Sequence, residues 1–405
     1  MRILFVHQNY PGQFLHLAPA LEARGHKVVA ITDEGNTRSI QQPHMRYRFT
    51  APDLQGLGAA YTIAARRGAV AALTAEKLRD KHGFVPDVIF GHPGWGETLF
   101  LKDVFPDARL LTYAEFYYAA TGLDSGFDPE LGPVDLPRRI MTSSRRVHLL
   151  QALAQSDAAL APTEWQASTF PDELRGKIRV IHDGIDTARV RPDPQARFAV
   201  PGGPELTAGD EVLTFVNRNL EPYRGYHVFM RALPRVLQAR PDAQVVIVGG
   251  DGCSYSPRPP AGKSWKEIFL SEVSDRLDLS RVHFVGHLPY GDYLSLLQVS
   301  RVHAYLTYPF VLSWSLLEAM SAGCNIVASA TPPVQEVICD GATGRLVDFF
   351  DVAGWAAALV EELADPQAAA PRRQAARAQV VRKYDLKSVC LPQLVDFVEG
   401  AGRPA

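Results

Sequence analysis

Residues Tyr308–Ser329 read YPFVLSWSLLEAMSAGCNIVAS, and their order fixes how the chain is built. The loop FVLSW opens an apolar run with helical spacing, and NIVAS then reads as a short buried strand. One carboxylate, Glu318, stands inside the apolar run. Ser315-Leu-Leu-Glu318 fits a capping box, in which Glu318 only reaches back to a backbone N–H at the helix start. The alternative is a carboxylate kept there for a ligand. What the rest of the chain brings to that helix decides between them.

Working outward, the same strand–helix alternation recurs. VLTFVN, AQVVIVGG, VHFVGHL and RVHAYLTY precede NIVAS as apolar runs, with the helical stretch YHVFMRALPRVLQARP among them. In the first half, RILFVHQ, HKVVAIT, DVIFGH, ARLLTYAEF, DAALAPT and IRVIHDGID repeat the pattern. Buried strands separated by helices predict parallel sheets covered on both faces. The 405 residues exceed one ordinary core. Between them RVRPDPQARFAVPGGPELTAGDE lacks a hydrophobic period and is rich in Pro and Gly, the composition of a linker. The predicted organisation is an α/β chain of two facing doubly wound, Rossmann-like domains with a cleft between them. Residues 1–190 form the first domain, 191–211 the linker and 212–384 the second domain. Residues 385–405 form an amphipathic helix packing across the junction.

The composition, 46% hydrophobic and 21% charged with a net charge of −2, is that of a soluble globular protein. It gives no general attraction for nucleic acid. Cys253, Cys324, Cys339 and Cys390 are widely spaced without C-x-x-C, as expected of reduced thiols in a cytoplasmic protein. No apolar run is long enough to span a bilayer.

In doubly wound sheets, ligands bind beyond the carboxyl ends of the strands, so residues just after each strand are the candidates. Arg218 and Arg224 follow VLTFVN and offer forked donors to a diphosphate, the alternative being two solvated arginines. Gly250 ends VVIVGG in a turn that permits close backbone approach. His287 and Leu288 follow VHFVG, where backbone groups can meet a base edge. Leu312, Ser313 and Trp314 open the helix of Glu318 with unpaired backbone N–H groups, a site for phosphate. In the first half, His92, Trp95 and Glu97 lie in HPGWGE, with Trp95 able to stack on a sugar or simply to pack. Glu115 follows RLLTY, and Gly12 lies in the first strand-to-helix turn. The stretch 137–154, with Arg138, Arg139, Arg145 and Arg146 beside apolar residues, is either a solvated helix or a peripheral membrane contact.

The segment Val212–Asp348, through VNRNLEPYRG, VVIVGGDG, VHFVGHL, LLEAMSAGCNIVAS and PPVQEVICDGATGRLVD, resembles the second domain of family-4 glycosyltransferases of GT-B fold. QNYPGQFLHLAPALEARGH, HPGWGETLFLKDVFPDARLL and YAEFYYAATGLDSGFDPE resemble a bacterial subgroup of that family. The resemblance implies that Arg218 and Arg224 bind a donor diphosphate, Glu318 the nucleotide ribose, and the 312–314 turn a phosphate or sugar. The family usually has lysine at the position of Arg224. It also has a first glutamate eight residues before Glu318, addressing the donor sugar, where this chain has Phe310. It implies retaining transfer from a UDP- or GDP-sugar to a sugar or lipid-linked acceptor, in bacterial polysaccharide, glycolipid or glycoconjugate synthesis; the expected location is the cytoplasm, with the 137–154 stretch leaving the inner face of the membrane open.

No metal or cofactor is expected, since the chain has no Asp-x-Asp and two arginines with a helix end can stabilise the departing diphosphate. Two other readings remain open. A sugar-nucleotide-binding protein without catalysis is compatible with Phe310. A nicotinamide oxidoreductase suits Asp33 after the second strand, but the first turn lacks G-x-G-x-x-G.

Overall fold

The computed structural model describes residues 1–401, in two compact units. The first comprises Met1–Gly184 and the chain from Leu386; the second is Ile185–Asp385.

The first unit is built on a seven-stranded sheet. Its strands are β1 (Arg2–Val6), β2 (Lys27–Asp33), β3 (His44–Tyr47), β4 (Val88–Gly91), β5 (Arg109–Tyr113), β6 (Ala158–Ala161) and β7 (Ile178–Val180). They lie in the order β3-β2-β1-β4-β5-β6-β7, all parallel. Because both faces are covered by helices, the strands read as unbroken apolar runs: in RILFV only Arg2 is exposed. The order reverses between β1 and β4, which sets a crevice at their carboxyl ends.

The second unit pairs β8 (Arg197–Ala199) with β9 (Glu205–Thr207) as a hairpin. Its main sheet holds β10 (Val212–Asn219), β11 (Gln244–Gly250), β12 (Val282–Gly286), β13 (Val302–Tyr305), β14 (Asn325–Ser329) and β15 (Arg345–Val347). The order β12-β11-β10-β13-β14-β15 is again parallel, with its switch between β10 and β13. The helix Trp314–Ala322 runs between β13 and β14, buries Leu316, Leu317 and Met320, and stops at Gly323. Gly323 has φ +85°, and its N–H caps the carbonyls of Ala319 and Met320.

Three expectations differ from this arrangement. The 191–211 stretch is folded: Phe198 and Leu206 of the β8–β9 hairpin are buried with Val246 and Leu296 of the second unit. The chain enters that unit at Ile185 and leaves it at Asp385. The final helix, Leu391–Ala401, packs on the first unit, where Leu394, Val395, Phe397 and Val398 join Ile3, Phe5, Phe14 and Phe90 in one core. Glu399 anchors it through Arg24 at 2.7 Å and His26 at 2.9 Å. Residues 402–405 of the expected 385–405 segment lie outside the described residues.

Candidate functional site

In the second unit, the carboxyl ends of β10 and β11 are tied together by one buried carboxylate. Glu221 is fully buried and accepts the N–H groups of Ser254, Tyr255 and Ser256 at 2.8–3.3 Å, pinning the loop after β11. Pro222 then starts a single turn that ends at Gly225 (φ +67°), where a Cβ would lie 2.3 Å from Leu306 Cβ. This close approach turns Arg224 inward, leaving it 6% exposed. Its Nη1 donates to Thr307 Oγ1 at 2.8 Å and to the Val311 carbonyl at 3.0 Å, bridging the two sides of the switch point.

The guanidinium lies over the rings of Tyr255 at 5.4 Å and Phe310 at 5.7 Å. Phe310 is itself buried against Tyr255 and Tyr223, so its ring is a wall beside Arg224.

Arg218 is exposed at the end of β10, and its carbonyl accepts the Nε2–H of His287 at 2.7 Å. A Cβ at Gly250 would sit 2.6 Å from that imidazole, which explains the glycine. Arg218, Gly250 and His287 therefore meet, whereas Leu288 packs into the core beneath them.

The capping box does not form. Ser313 is the N-cap and accepts the N–H of Ser315, while its own N–H is taken by the Tyr305 hydroxyl at 2.9 Å. Leu312 is buried and Trp314 is exposed. Glu318 lies in the helix body, half-buried. Its Oε1 accepts the Tyr290 hydroxyl at 2.7 Å and its Oε2 that of Tyr293 at 2.8 Å, both from the helix Tyr290–Val299. Burial holds the Glu318 carboxyl above the usual carboxylate range, partly offset by the two hydroxyl donors.

The first unit gathers a different set at the ends of β1, β4 and β5. His7 Nδ1 accepts the Asn9 N–H at 2.8 Å, so its proton is on Nε2, which donates to Gln13 Oε1 at 2.9 Å. Gln13 Nε2 in turn faces Glu115 Oε1 at 3.4 Å. His92 Nδ1 accepts the Gly94 N–H, and its buried Nε2, which makes no hydrogen bond, lies 3.5 Å from Glu115 Oε2. Glu115 thus ends a hydrogen-bonded chain from His7 through Gln13, with the His92 imidazole beside it. Burial and the neighbouring His92 hold His7 well below the usual histidine range, keeping it neutral. Trp95 packs at 5.4 Å from the His7 ring and 5.0 Å from that of His92.

Two first-unit expectations change. Glu97 is completely buried, bonded to the Tyr47 hydroxyl at 2.7 Å, and cannot meet an acceptor. The chain turns back into the core after Gly96 (φ +103°), and burial raises the Glu97 carboxyl above its usual range. Gly12 is explained by packing, since a Cβ there would strike the His7 imidazole at 2.6 Å. His7, Gln13, Glu221, Tyr290 and Tyr293 were not singled out by sequence. His7 directly follows RILFV and met the strand-end criterion; the tyrosines carried no signal beyond their i, i+3 spacing.

Of the 137–154 stretch, the helix Leu136–Arg145 buries no residue, and Leu136, Ile140 and Met141 are exposed. Arg145 and Arg146 lie over the Tyr118 and Tyr117 rings. Among the described residues no helix is long and apolar enough to cross a membrane.

Two units, each built on a parallel sheet covered by helices, are the architecture of the GT-B glycosyltransferase class. The chain belongs to the family-4 group within it: residues 24–190 match the family described as glycosyl transferase family 4 group and 203–379 that described as glycosyl transferases group 1. It is 28% identical to glycogen synthase of Mycobacterium tuberculosis, over 96% of this chain and 92% of that one. It is 32% identical to the phosphatidyl-myo-inositol mannosyltransferase of Mycolicibacterium smegmatis, over 63% and 59% of the respective chains. Sucrose-phosphate synthase from Thermosynechococcus elongatus superposes with a TM-score of 0.70 at 19% identity, covering 99% of this chain and 100% of that one. Anabaena HepE in complex with UDP and glucose superposes at 0.65 and 16%, with the same coverage; both likenesses concern the fold.

Proposed function

We propose that the chain is a retaining hexosyltransferase that moves a sugar from a UDP- or GDP-sugar to an acceptor hydroxyl without a metal ion. The observation that carries this reading is Arg224, a buried cation fixed at the switch point by Thr307 and Val311. In the transfer, the bond from the anomeric carbon to the diphosphate oxygen breaks, the acceptor oxygen bonds to that carbon on the same face, and the acceptor's hydroxyl proton passes to the departing diphosphate oxygen. The electron pair passes to the diphosphate, whose growing charge Arg224 and the exposed Arg218 neutralise. Glu318 accepts the ribose hydroxyls. Glu115, faced by His92 and Gln13, receives a sugar or acceptor hydroxyl on the first unit.

The pathway proposed is assembly of a bacterial polysaccharide, glycolipid or glycoconjugate. The exposed apolar side chains of Leu136, Ile140 and Met141 beside arginines support a lipid-linked acceptor presented at a membrane. The test is a panel of UDP- and GDP-sugars with cell-extract acceptors, read as nucleoside diphosphate release, with Arg224→Ala as control. Release that depends on acceptor and is lost in the variant supports the reading; binding of donor without release for any acceptor points to a sugar-nucleotide sensor.

A further inference from the structure

Glu318 has no cationic partner within ion-pair distance among the described residues; two phenol hydroxyls satisfy it, one on each oxygen. The two phenols are unequal. Tyr293 is 9% exposed and belongs to the core around Leu294, Leu297 and Leu316. Tyr290, at the first position of the same helix, is 43% exposed, and its ring is covered by the exposed Arg189 guanidinium at 4.7 Å. Of the two phenols on the carboxylate, Tyr290 is therefore the one with room to move towards solvent, while Tyr293 is held in the core.

We propose that Tyr290 is a specificity residue: its hydroxyl stands in for one hydroxyl of a ribose cis-diol on Glu318 Oε1 and is displaced when the diol binds. This rests on the reading of Glu318 as the ribose acceptor. Tyr293 stays on Oε2 and aims the carboxylate, since its ring is locked in the core. A diol supplies a donor for each oxygen and so replaces what Tyr290 gives up, whereas a nucleotide without these hydroxyls leaves Tyr290 in place. The exposed phenol thus lowers ribonucleotide affinity while keeping the unliganded carboxylate satisfied.

Titration calorimetry with UDP, GDP and their 2′,3′-dideoxy counterparts tests it in wild type, Tyr290→Phe and Tyr293→Phe, each checked for folding by its melting curve. Tyr290→Phe should bind the ribonucleotides roughly three- to tenfold more tightly, the scale of one net hydrogen bond, with dideoxy binding unchanged. Tyr293→Phe should bind the ribonucleotides more weakly. Unchanged or weaker ribonucleotide binding in Tyr290→Phe, or an equal gain for both sugars, overturns the proposal while leaving Glu318 a ribose ligand if wild type prefers ribose. A wild type that binds ribose and dideoxyribose nucleotides alike overturns the ribose reading itself.

Discussion

Arg224→Ala separates what the arginine does for the fold from what it does for the donor. Its Nη1 makes two hydrogen bonds, to the fully buried Thr307 hydroxyl and to the Val311 carbonyl, and the guanidinium lies over Tyr255 and Phe310. At about 0.5–1.5 kcal/mol net per bond and about 0.5–1 kcal/mol for the ring contacts, the loss is roughly 1.5–4 kcal/mol of stability. For a unit of this size that lowers Tm by about 5–15 °C. Losing a charged donor to a diphosphate costs about 1.5–3 kcal/mol, or roughly 10- to 150-fold in Kd. Arg224→Lys keeps the charge but cannot match the arginine fork, so it should retain most of the affinity and only part of the stability. The assay is titration of UDP and GDP at a temperature where every variant is folded, with uridine and guanosine as ligands lacking the diphosphate. Wild-type affinity for UDP and GDP in the folded alanine variant, or an equal loss for nucleoside and diphosphate, refutes the diphosphate role.

Glu318→Gln should melt near wild type, because no cap is lost, yet bind the ribonucleotide about tenfold or more weakly, as measured by calorimetry. Its stability relative to wild type should rise as pH climbs above about 4: a carboxyl raised in the fold makes the wild type lose stability as pH climbs from its unfolded value through its folded one, and glutamine does not titrate. Transfer should continue in excess chelator; loss restored by magnesium or manganese would show that a metal carries the diphosphate charge. The protein should co-sediment with anionic vesicles, less so after Arg138 and Arg139 become alanine; binding insensitive to these changes removes the 137–154 segment from any membrane contact.

Much of the fold was legible because doubly wound strands must be apolar throughout: RILFV, VIFG, VVIVGG and NIVAS could be read without alternation. β3 (HMRY), β8 (RFA) and β9 (ELT) were not, because edge and hairpin strands are short and half-solvated. Pro and Gly between β8 and β9 disguised a folded hairpin as a linker. Burial of Phe198 and Leu206 depends on Val246 and Leu296, far away in sequence. The site divided the same way. Arg224 was visible from its place after a strand. Glu97 was misread because the turn at Gly96 sends it inward. The question posed by Glu318 needed the helix Tyr290–Val299 beside it, and no local pattern encodes which helix that is.

The return of the last helix to the first unit bears on how the protein is made. On the ribosome, residues 1–184 emerge with Phe5, Phe14 and Phe90 lacking the cover of Leu394, Phe397 and Val398, and all of 185–385 must follow before it arrives. The second unit, one continuous stretch, needs no such wait. The order of synthesis is therefore reversed in folding: the half made first is finished last, and any chain stopped before the final helix leaves its sheet open on one apolar face.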